Sequence, residues 1–268
     1  MINRLLSFFL LLIAVKLPAQ TVATKMQLPM EQQIGIIELR NYVIKAGQRD
    51  NFIDYFETHF ITSQVELHAY PLGQYRVKGQ PDNFFWIRGF ESMETRSRFL
   101  PSFYHGPFWQ QHRAAANSML ANNDNVHLLR PLALRGDSLM PVNTVSIAAL
   151  VPHSGIAVID FYIANTKLPR LIQFFGSRYL PLLHQYDIKD YSCWVSELTD
   201  NDFPALPVFQ DRNLLVTITF YSDEAAYEKK TASVQAAMDE QMKADMQDIV
   251  TLKHTLVLYP TTRTLLNK

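Results

Sequence analysis

The sequence predicts an α+β protein built from two tandem ferredoxin-like βαββαβ modules that pack sheet to sheet. The main observation is an internal repeat, in which Glu38 and Asp160 are the matching acidic residues of similar segments. A repeat of about 120 residues is too long for a solenoid unit and indicates a duplicated domain. The similar segments keep the same order in both halves: residues 36–44 and 157–165, residues 89–99 and 219–229, and residues 126–135 and 255–263.

The first module is predicted to span residues 34–135. Its first strand alternates apolar and polar side chains, and its first helix places Phe52, Phe56 and Phe60 on one face for burial against the sheet. Pro101 is expected to end the following helix, because proline disrupts a helix interior. The predicted elements are strand 34–44, helix 47–61, hairpin strands 72–77 and 83–90, helix 92–100, a helix from 106 to 120, and strand 126–134.

The second module is predicted to span residues 155–263 and to repeat this order of elements. Its hairpin has a longer loop, residues 199–211, which has no counterpart in the first module. Residues 136–154 link the modules and are expected to be ordered, because they contain the apolar run 145–150. The predicted elements are strand 157–165, a helix containing residues 168–182, hairpin strands 188–198 and 211–221, helix 222–248, and strand 250–259.

The N-terminal segment, residues 1–23, is predicted to be a secretory signal. Arg4 precedes an apolar run at residues 5–15, which has signal-peptide length but is too short to span a bilayer. Small residues suited to cleavage follow at Ala19 and Ala23. The mature protein is therefore expected to be secreted or periplasmic, with no membrane contact after cleavage.

Composition narrows the function classes. The 268-residue chain has 25 basic and 25 acidic side chains and no basic run, so nucleic acid is not an expected partner. Cys193 is the single cysteine, so no internal disulfide forms, and its apolar neighbours indicate a core residue. The sequence lacks the motifs of serine hydrolases, P-loop nucleotide hydrolases and dinucleotide-binding proteins.

The first candidate site consists of polar residues on the equivalent first strands of the two modules. Glu38, Arg40 and Tyr42 share one strand face and are expected to meet Asp160 and Tyr162 across the sheet-to-sheet interface. The simpler interpretation is a structural network that sets the packing register, and the alternative is catalysis, because buried ion pairs occur in both. A structural network predicts a cost of about 3 kcal/mol for Arg40→Ala, which would leave a carboxylate unpaired.

The second candidate site combines aromatic and imidazole side chains. His105 and His112 bracket an aromatic pair and are candidate acid–base residues. Their spacing does not match the i, i+4 spacing of a helical metal site, so no metal is expected. The alternative is that the aromatic residues are core and that His112 is a partly exposed helix residue. The candidate ligand-binding residues are Trp86, Tyr104, His105, Trp109 and His112.

Three segments resemble the NIPSNAP family: residues 38–57, residues 85–96 and residues 108–120. The resemblance implies dimeric α+β barrel modules, often in tandem, so the two modules of this chain would complete a barrel with each other. The second module departs from the family pattern, because Phe161 and Tyr162 stand where the first has Leu39 and Arg40. NIPSNAP-like proteins have no agreed reaction, so the resemblance implies a fold more than an activity.

Three interpretations of function remain open. The first is an exported NIPSNAP-like protein that binds a small apolar or aromatic molecule, or a protein partner, without catalysis. The second is a monooxygenase of the same barrel fold, cofactor-free or haem-using, with His105 or His112 beside Trp86 and Trp109. The third is a structural or interaction module, and a homo-oligomer is compatible with all three. A closed cavity of at least about 300 Å³ between helix 107–120 and its sheet would favour a bound small molecule.

Overall fold

The computed structural model describes residues 28–151, 155–165 and 168–265, so the predicted signal segment 1–23 lies outside it. The first module contains β1 Gln33–Ile34, β2 Ile36–Ile44, α1 Arg49–Val65, β3 Tyr70–Val77, β4 Gln80–Phe90, α2 Met93–Tyr104, α3 Pro107–Met119, β5 Leu120–Asn122 and β6 Val126–Arg135. The connection contains β7 Ser138–Pro141, β8 Val145–Ser146 and a 3₁₀ turn at Ile147–Ala149.

The second module begins with β9 Ile156–Ala164 and a helix that changes its winding along its length: α4 Leu168–Phe174, a π-helical segment Phe175–Tyr179, and α5 Leu180–Gln185. The remaining elements are β10 Tyr191–Ser196, β11 Leu214–Tyr221, α6 Glu224–Ala237, α7 Glu240–Ile249, β12 Val250–Pro260 and α8 Thr262–Leu265. No helix within the described ranges is long and apolar enough to cross a membrane.

The long strands of both modules form one closed antiparallel barrel. From β2 the ring runs through β4, β3, β12, β9, β11, β10 and β6, and β6 pairs with β2 to close it. The last strand of each module belongs to both sheets, since β12 pairs with β9 along most of its length and with β3 at residues 258–260. The predicted α+β fold, two βαββαβ modules forming a barrel within one chain, is confirmed.

Alternation along the strands separates two kinds of apolar layer. On β2, Ile37 and Leu39 point into the barrel, where they pack with Phe161 and Trp194 from the second module. Tyr42 points the other way, into the layer between the sheet and the helices of its own module. The barrel interior is therefore a core filled by side chains from both modules.

The connection between the modules is ordered over its apolar run, as expected. β8 pairs with β1, with Val145 opposite Ile34. Ile147 and Leu150 then pack with the residues of the barrel core. The connection therefore contributes to the core rather than serving as a free linker.

One helix boundary was predicted wrongly in the first module. α2 continues past Pro101 and ends at Tyr104. A proline removes one backbone hydrogen bond from a helix, but Pro101 itself is exposed, and α2 is held by buried Phe99 and Phe103 on its other face. The break between α2 and α3 follows at Gly106 instead.

A second helix boundary was missed in the other module. The helix predicted at residues 222–248 is two helices, α6 and α7. Asp239 starts the second one, because its side-chain oxygen accepts a hydrogen bond from the backbone N–H of Met242. Aspartate is one of the residues that cap a helix N-terminus most effectively.

Candidate ligand site in the first module

A cavity of about 350 Å³ lies between the sheet of the first module and the helices that cover it. Its wall is mainly aromatic, because α1 presents Phe52, Phe56 and Phe60 at helical spacing toward Trp86 on β4. The rings pack against one another in tilted or edge-on geometry, as in Phe56 and Trp86, whose ring centroids are 4.8 Å apart. The contacts among these rings hold the cavity wall in place, and the cavity lies between the rings and α3.

One buried carboxylate beside the cavity is held by three arginines. Glu38 accepts hydrogen bonds from Arg40 Nη1 at 2.7 Å, from Arg88 Nε and Nη2 at 2.8 and 2.5 Å, and from Arg96 Nε at 2.8 Å. Glu38 and Arg88 lie directly opposite each other on β2 and β4, whereas Arg96 reaches the carboxylate from α2. All four side chains are fully buried.

This cluster carries an excess of positive charge. Burial alone would raise the pKa of Glu38, but the charges of Arg88, Arg40 and Arg96 outweigh it and hold that pKa well below its ordinary value. Arginine side chains keep their proton in proteins. Asp202 is the one further carboxylate within ion-pair distance in the described ranges, 3.7 Å from Arg96 Nη1, and its side chain is 47% exposed. Three buried cations therefore face a single buried anion.

Several hydrogen-bond donors of this site lack an acceptor. Trp86 Nε1, Arg40 Nη2 and Arg96 Nη2 are buried and have no partner among the residues that the structure describes. Tyr42 accepts a hydrogen bond from Arg40 Nε at 2.8 Å, and burial raises the pKa of its hydroxyl, which therefore keeps a proton to donate. A buried donor without a partner costs about 1–3 kcal/mol. Trp86 and Tyr42 line the cavity, so their donors are suited to a bound group that supplies acceptors.

Four of the five candidate ligand-binding residues line the cavity: Trp86, Tyr104, His105 and Trp109. His112 does not line it, which corrects that placement. Its Nδ1 is 2.7 Å from the Tyr55 hydroxyl, and its ring packs 4.5 Å from Phe108, measured between centroids. His105 precedes α3 and His112 lies within it, so helical spacing does not bring the two imidazoles to the same face.

His105, the histidine of the cavity, does not fit an axial haem ligand. His105 lines the cavity, but its ring has no hydrogen-bond partner in the described part of the chain, whereas a metal-ligating histidine normally donates its second N–H to a fixed acceptor. No group of three or more His, Cys, Asp or Glu suited to a metal ion occurs among the described residues.

Burial raises the pKa of the Cys193 thiol to about 12, as expected for a core residue.

The second module supplies part of the cavity wall, which the sequence did not indicate. Phe203 and Leu206, from the inserted loop 199–211, line the cavity, and the ring of Phe203 lies 5.9 Å from that of Tyr104. Asn201 fixes the loop, because its Oδ1 accepts a hydrogen bond from Arg96 Nη1 at 3.1 Å and its Nδ2 donates to Leu206 O at 2.9 Å. The arginine cluster therefore also anchors the cover of the cavity.

The predicted meeting of the two first strands does not occur. Glu38 and Arg40 lie under the helices of the first module, whereas Asp160 lies with Tyr162 under those of the second. On each strand these positions point away from the barrel, so helices cover them instead of the other sheet. Asp160 accepts a hydrogen bond from Thr255 Oγ1 at 2.5 Å and pairs with Lys253 Nζ at 3.2 Å.

The corresponding space in the second module is nearly full. A cavity of only about 30 Å³ remains around Asp160. Tyrosine rings occupy the volume that is open in the first module, including those of Tyr162, Tyr179, Tyr221 and Tyr227. Among these, Tyr162 packs edge-on against Phe175 of the π-helical segment, with centroids 4.8 Å apart.

No family model and no curated protein sequence matches the chain. Solved structures do match. A protein from Lactobacillus acidophilus with a provisional monooxygenase assignment superposes with a TM-score of 0.50 at 11% identity, covering 85% of this chain and 94% of its own. A protein from Fusobacterium nucleatum with the same provisional assignment has a TM-score of 0.50 at 9% identity, covering 85% and 92%.

The structural neighbours also include NIPSNAP family proteins. An uncharacterised NIPSNAP-like domain protein from Burkholderia xenovorans has 23% identity and a TM-score of 0.35, and it covers 41% of this chain and 96% of its own. What the full-length likeness at these low identities shows is the fold: an α+β barrel of two tandem ferredoxin-like modules.

Proposed function

We propose that the protein binds one small molecule with an aromatic or apolar body in the cavity of the first module. The observation that carries this proposal is the aromatic cavity of about 350 Å³ between α1, α2, α3 and the sheet. Ligand sites are typically concave, mostly apolar, and provided with a few polar groups that orient the ligand. Here Tyr42, Trp86 and Arg88 are among the polar groups of a mainly aromatic wall.

The proposal is tested with a variant that fills the cavity. Ala116 is buried on α3 and lines the cavity, so Ala116→Phe places a ring in the ligand space. Ala115→Phe is the matched control, because Ala115 is exposed on the same helix. Binding of 2-naphthoate and its neutral analogue 2-naphthamide is measured by isothermal titration calorimetry on the intact protein, with folding checked by circular dichroism.

At least one of the two compounds is expected to bind with one molecule per chain. Ala116→Phe is expected to weaken this binding more than about tenfold, equivalent to about 1.4 kcal/mol, whereas Ala115→Phe leaves it unchanged. If neither compound binds the wild type, or if both variants bind as well as the wild type, the cavity is not the ligand site.

A second candidate is cofactor-free oxygenation of the bound molecule. The observation in its favour is that Trp86 Nε1 and the Tyr42 hydroxyl are donors on the cavity wall, where they would stabilise a negatively charged oxygen that develops on a substrate. The fold likeness to two proteins with provisional monooxygenase assignments agrees with this candidate. Oxygen uptake by wild-type protein with 1-naphthol, absent in Ala116→Phe, would support it, and equal rates in both would reject it.

Export is a separate part of the proposal. It rests on Arg4 followed by the apolar run 5–15 and by small residues at Ala19 and Ala23. N-terminal sequencing of protein recovered outside the cytoplasm should begin between Gln20 and Thr24. Recovery of a chain that begins at Met1 would contradict export by a cleaved signal.

A further inference from the structure

We propose, building on the ligand site above, that the bound molecule carries an anionic oxygen group, such as a carboxylate, on its aromatic body. The anionic group would lie against Trp86 and Tyr42, above the guanidinium groups of Arg40 and Arg88. The aromatic body would lie among the rings of α1 and α3.

The charge of the buried cluster is the first argument. Arg40, Arg88 and Arg96 are fully buried, and Glu38 is the one buried carboxylate that pairs with them in the described ranges. A buried charge without a partner is costly, and a buried ion pair is favourable only when its geometry and hydrogen bonds are complete. An anionic ligand would offset the remaining positive charge, whereas a cationic ligand would add to it.

The position of the guanidinium groups is the second argument. The Arg40 and Arg88 guanidinium carbons lie 5.4 and 5.2 Å from the ring centroid of Trp86, and Trp86 and Arg88 both line the cavity. Arg40 Nε also donates to Tyr42, another cavity residue. The excess charge therefore lies at the cavity wall and not in a separate part of the core.

The direction of the hydrogen bonds is the third argument. At this wall Trp86 Nε1 is a donor without a partner, and the Tyr42 hydroxyl accepts from Arg40 and so has its own proton to give. Gln64 Oε1, the acceptor beside Arg88, is already used by Arg88 Nη1 at 3.1 Å, and the amide oxygens of Gln110, Asn117 and Asn123 belong to α3 and the segment after it. The part of the wall at Trp86 and Tyr42 thus offers donors, which match the oxygens of a carboxylate.

The test compares three ligands of nearly the same shape on the intact protein by isothermal titration calorimetry at neutral pH: 2-naphthoate, 2-naphthamide and 2-(aminomethyl)naphthalene. We expect the anion to bind at least about tenfold more tightly than the neutral amide, and the cation to bind weakest, because charged hydrogen bonds are worth about twice neutral ones. Equal binding of anion and amide would overturn the anion preference and leave the ligand site standing. No binding of any of the three would reject the ligand site itself.

Two variants locate the preference. Trp86→Phe removes the unpaired donor and keeps a ring, and Arg40→Met removes one guanidinium while Glu38 keeps Arg88 and Arg96. Each is expected to reduce the ratio of naphthoate to naphthamide affinity by about fivefold or more, with smaller changes in the amide affinity itself. A ratio unchanged in both folded variants would mean that these residues do not recognise the charge.

Discussion

The two modules share one strand order and one pairing register, yet their equivalent positions hold different chemistry. In the first module Glu38 is paired with Arg88, and Arg40 with Trp86. In the second, Asp160 is paired with Thr217, and Tyr162 with Leu215. The first set surrounds a cavity of about 350 Å³, and the second set a space of about 30 Å³. The same strand topology therefore surrounds a cavity beside buried charges in the first module and a packed layer in the second.

The difference indicates a division of roles between the copies. In the second module, tyrosine rings fill the layer between the sheet and its helices. The inserted loop of that module, with Phe203 and Leu206, lines the cavity of the first module. The two equivalent acidic residues also differ in burial, since Glu38 is fully buried and the Asp160 side chain is 16% exposed. Substitutions at these equivalent positions should therefore have unequal effects.

The largest expected effect is that of Glu38→Gln. It removes the carboxylate that pairs with three buried arginines, so it is expected to lower the free energy of unfolding by about 3–5 kcal/mol. Asp160→Asn is the matched change in the second module, where the lost partners are Thr255 and the half-exposed Lys253, and it is expected to cost about 1 kcal/mol. Urea denaturation of both variants and the wild type measures the difference, and equal losses would contradict the asymmetry.

A smaller effect is expected for Arg40→Ala. The sequence predicted about 3 kcal/mol from a stranded carboxylate, but Glu38 keeps its bonds to Arg88 and Arg96 in this variant. The loss of the bonds to Glu38 and Tyr42 is partly offset by reduced repulsion among the guanidinium groups, so we expect about 1–2 kcal/mol. A loss of 3 kcal/mol or more in urea denaturation would show that the other two arginines do not compensate.

The smallest expected effect concerns β6 and β12, the last long strands of the two modules. His127 on β6 lies opposite Leu39, and His254 holds the equivalent position on β12, opposite Phe161. Burial lowers the pKa of His127 to about 4, an effect partly opposed by Asp211. Because the folded-state pKa lies below the unfolded value of about 6.5, this contribution to stability is complete above pH 6.5 and is lost as the pH falls toward 4.

Replacing His127 should therefore flatten the pH profile of stability. His127→Leu is expected to reduce the loss of unfolding free energy between pH 7 and pH 5.5 by about 1 kcal/mol. His254 is exposed, so His254→Leu is the control for the change of surface at the same strand position. Urea denaturation at both pH values gives the comparison, and a His127→Leu profile parallel to the wild type would contradict the burial effect.

Most of the fold could be predicted because the repeat and the strand alternation are local signals. Alternation shows that Glu38, Arg40 and Tyr42 share a face, but both faces of this sheet are covered, one by the barrel core and one by helices. Alternation alone does not distinguish these two environments. The three side chains therefore share a face, as predicted, but helices cover that face instead of the other sheet.

The parts of the site that were missed depend on contacts between distant segments. Arg96 and Asn201 are 105 residues apart in sequence, and nothing near either residue indicates their hydrogen bond. Arg88 carried a usable signal, since alternation along β4 places it on the same face as Trp86, and β4 pairs with β2. His112 lies on α3 beside Tyr55 and Phe108 and not among the cavity residues, and no local pattern in the sequence separates these two positions.

The central claim is that the small molecule binds in the cavity under the helices of the first module, and the chain's three tryptophans report on it directly. Trp86 and Trp109 line the cavity, whereas Trp194 lies in the barrel core. In protein labelled with 5-fluorotryptophan, with resonances assigned by Trp→Phe substitution, saturating 2-naphthoate should shift the ¹⁹F signals of Trp86 and Trp109 and leave that of Trp194 in place. A shift of Trp194 alone, or no shift at Trp86 and Trp109 when calorimetry shows binding, would place the ligand elsewhere and contradict the claim.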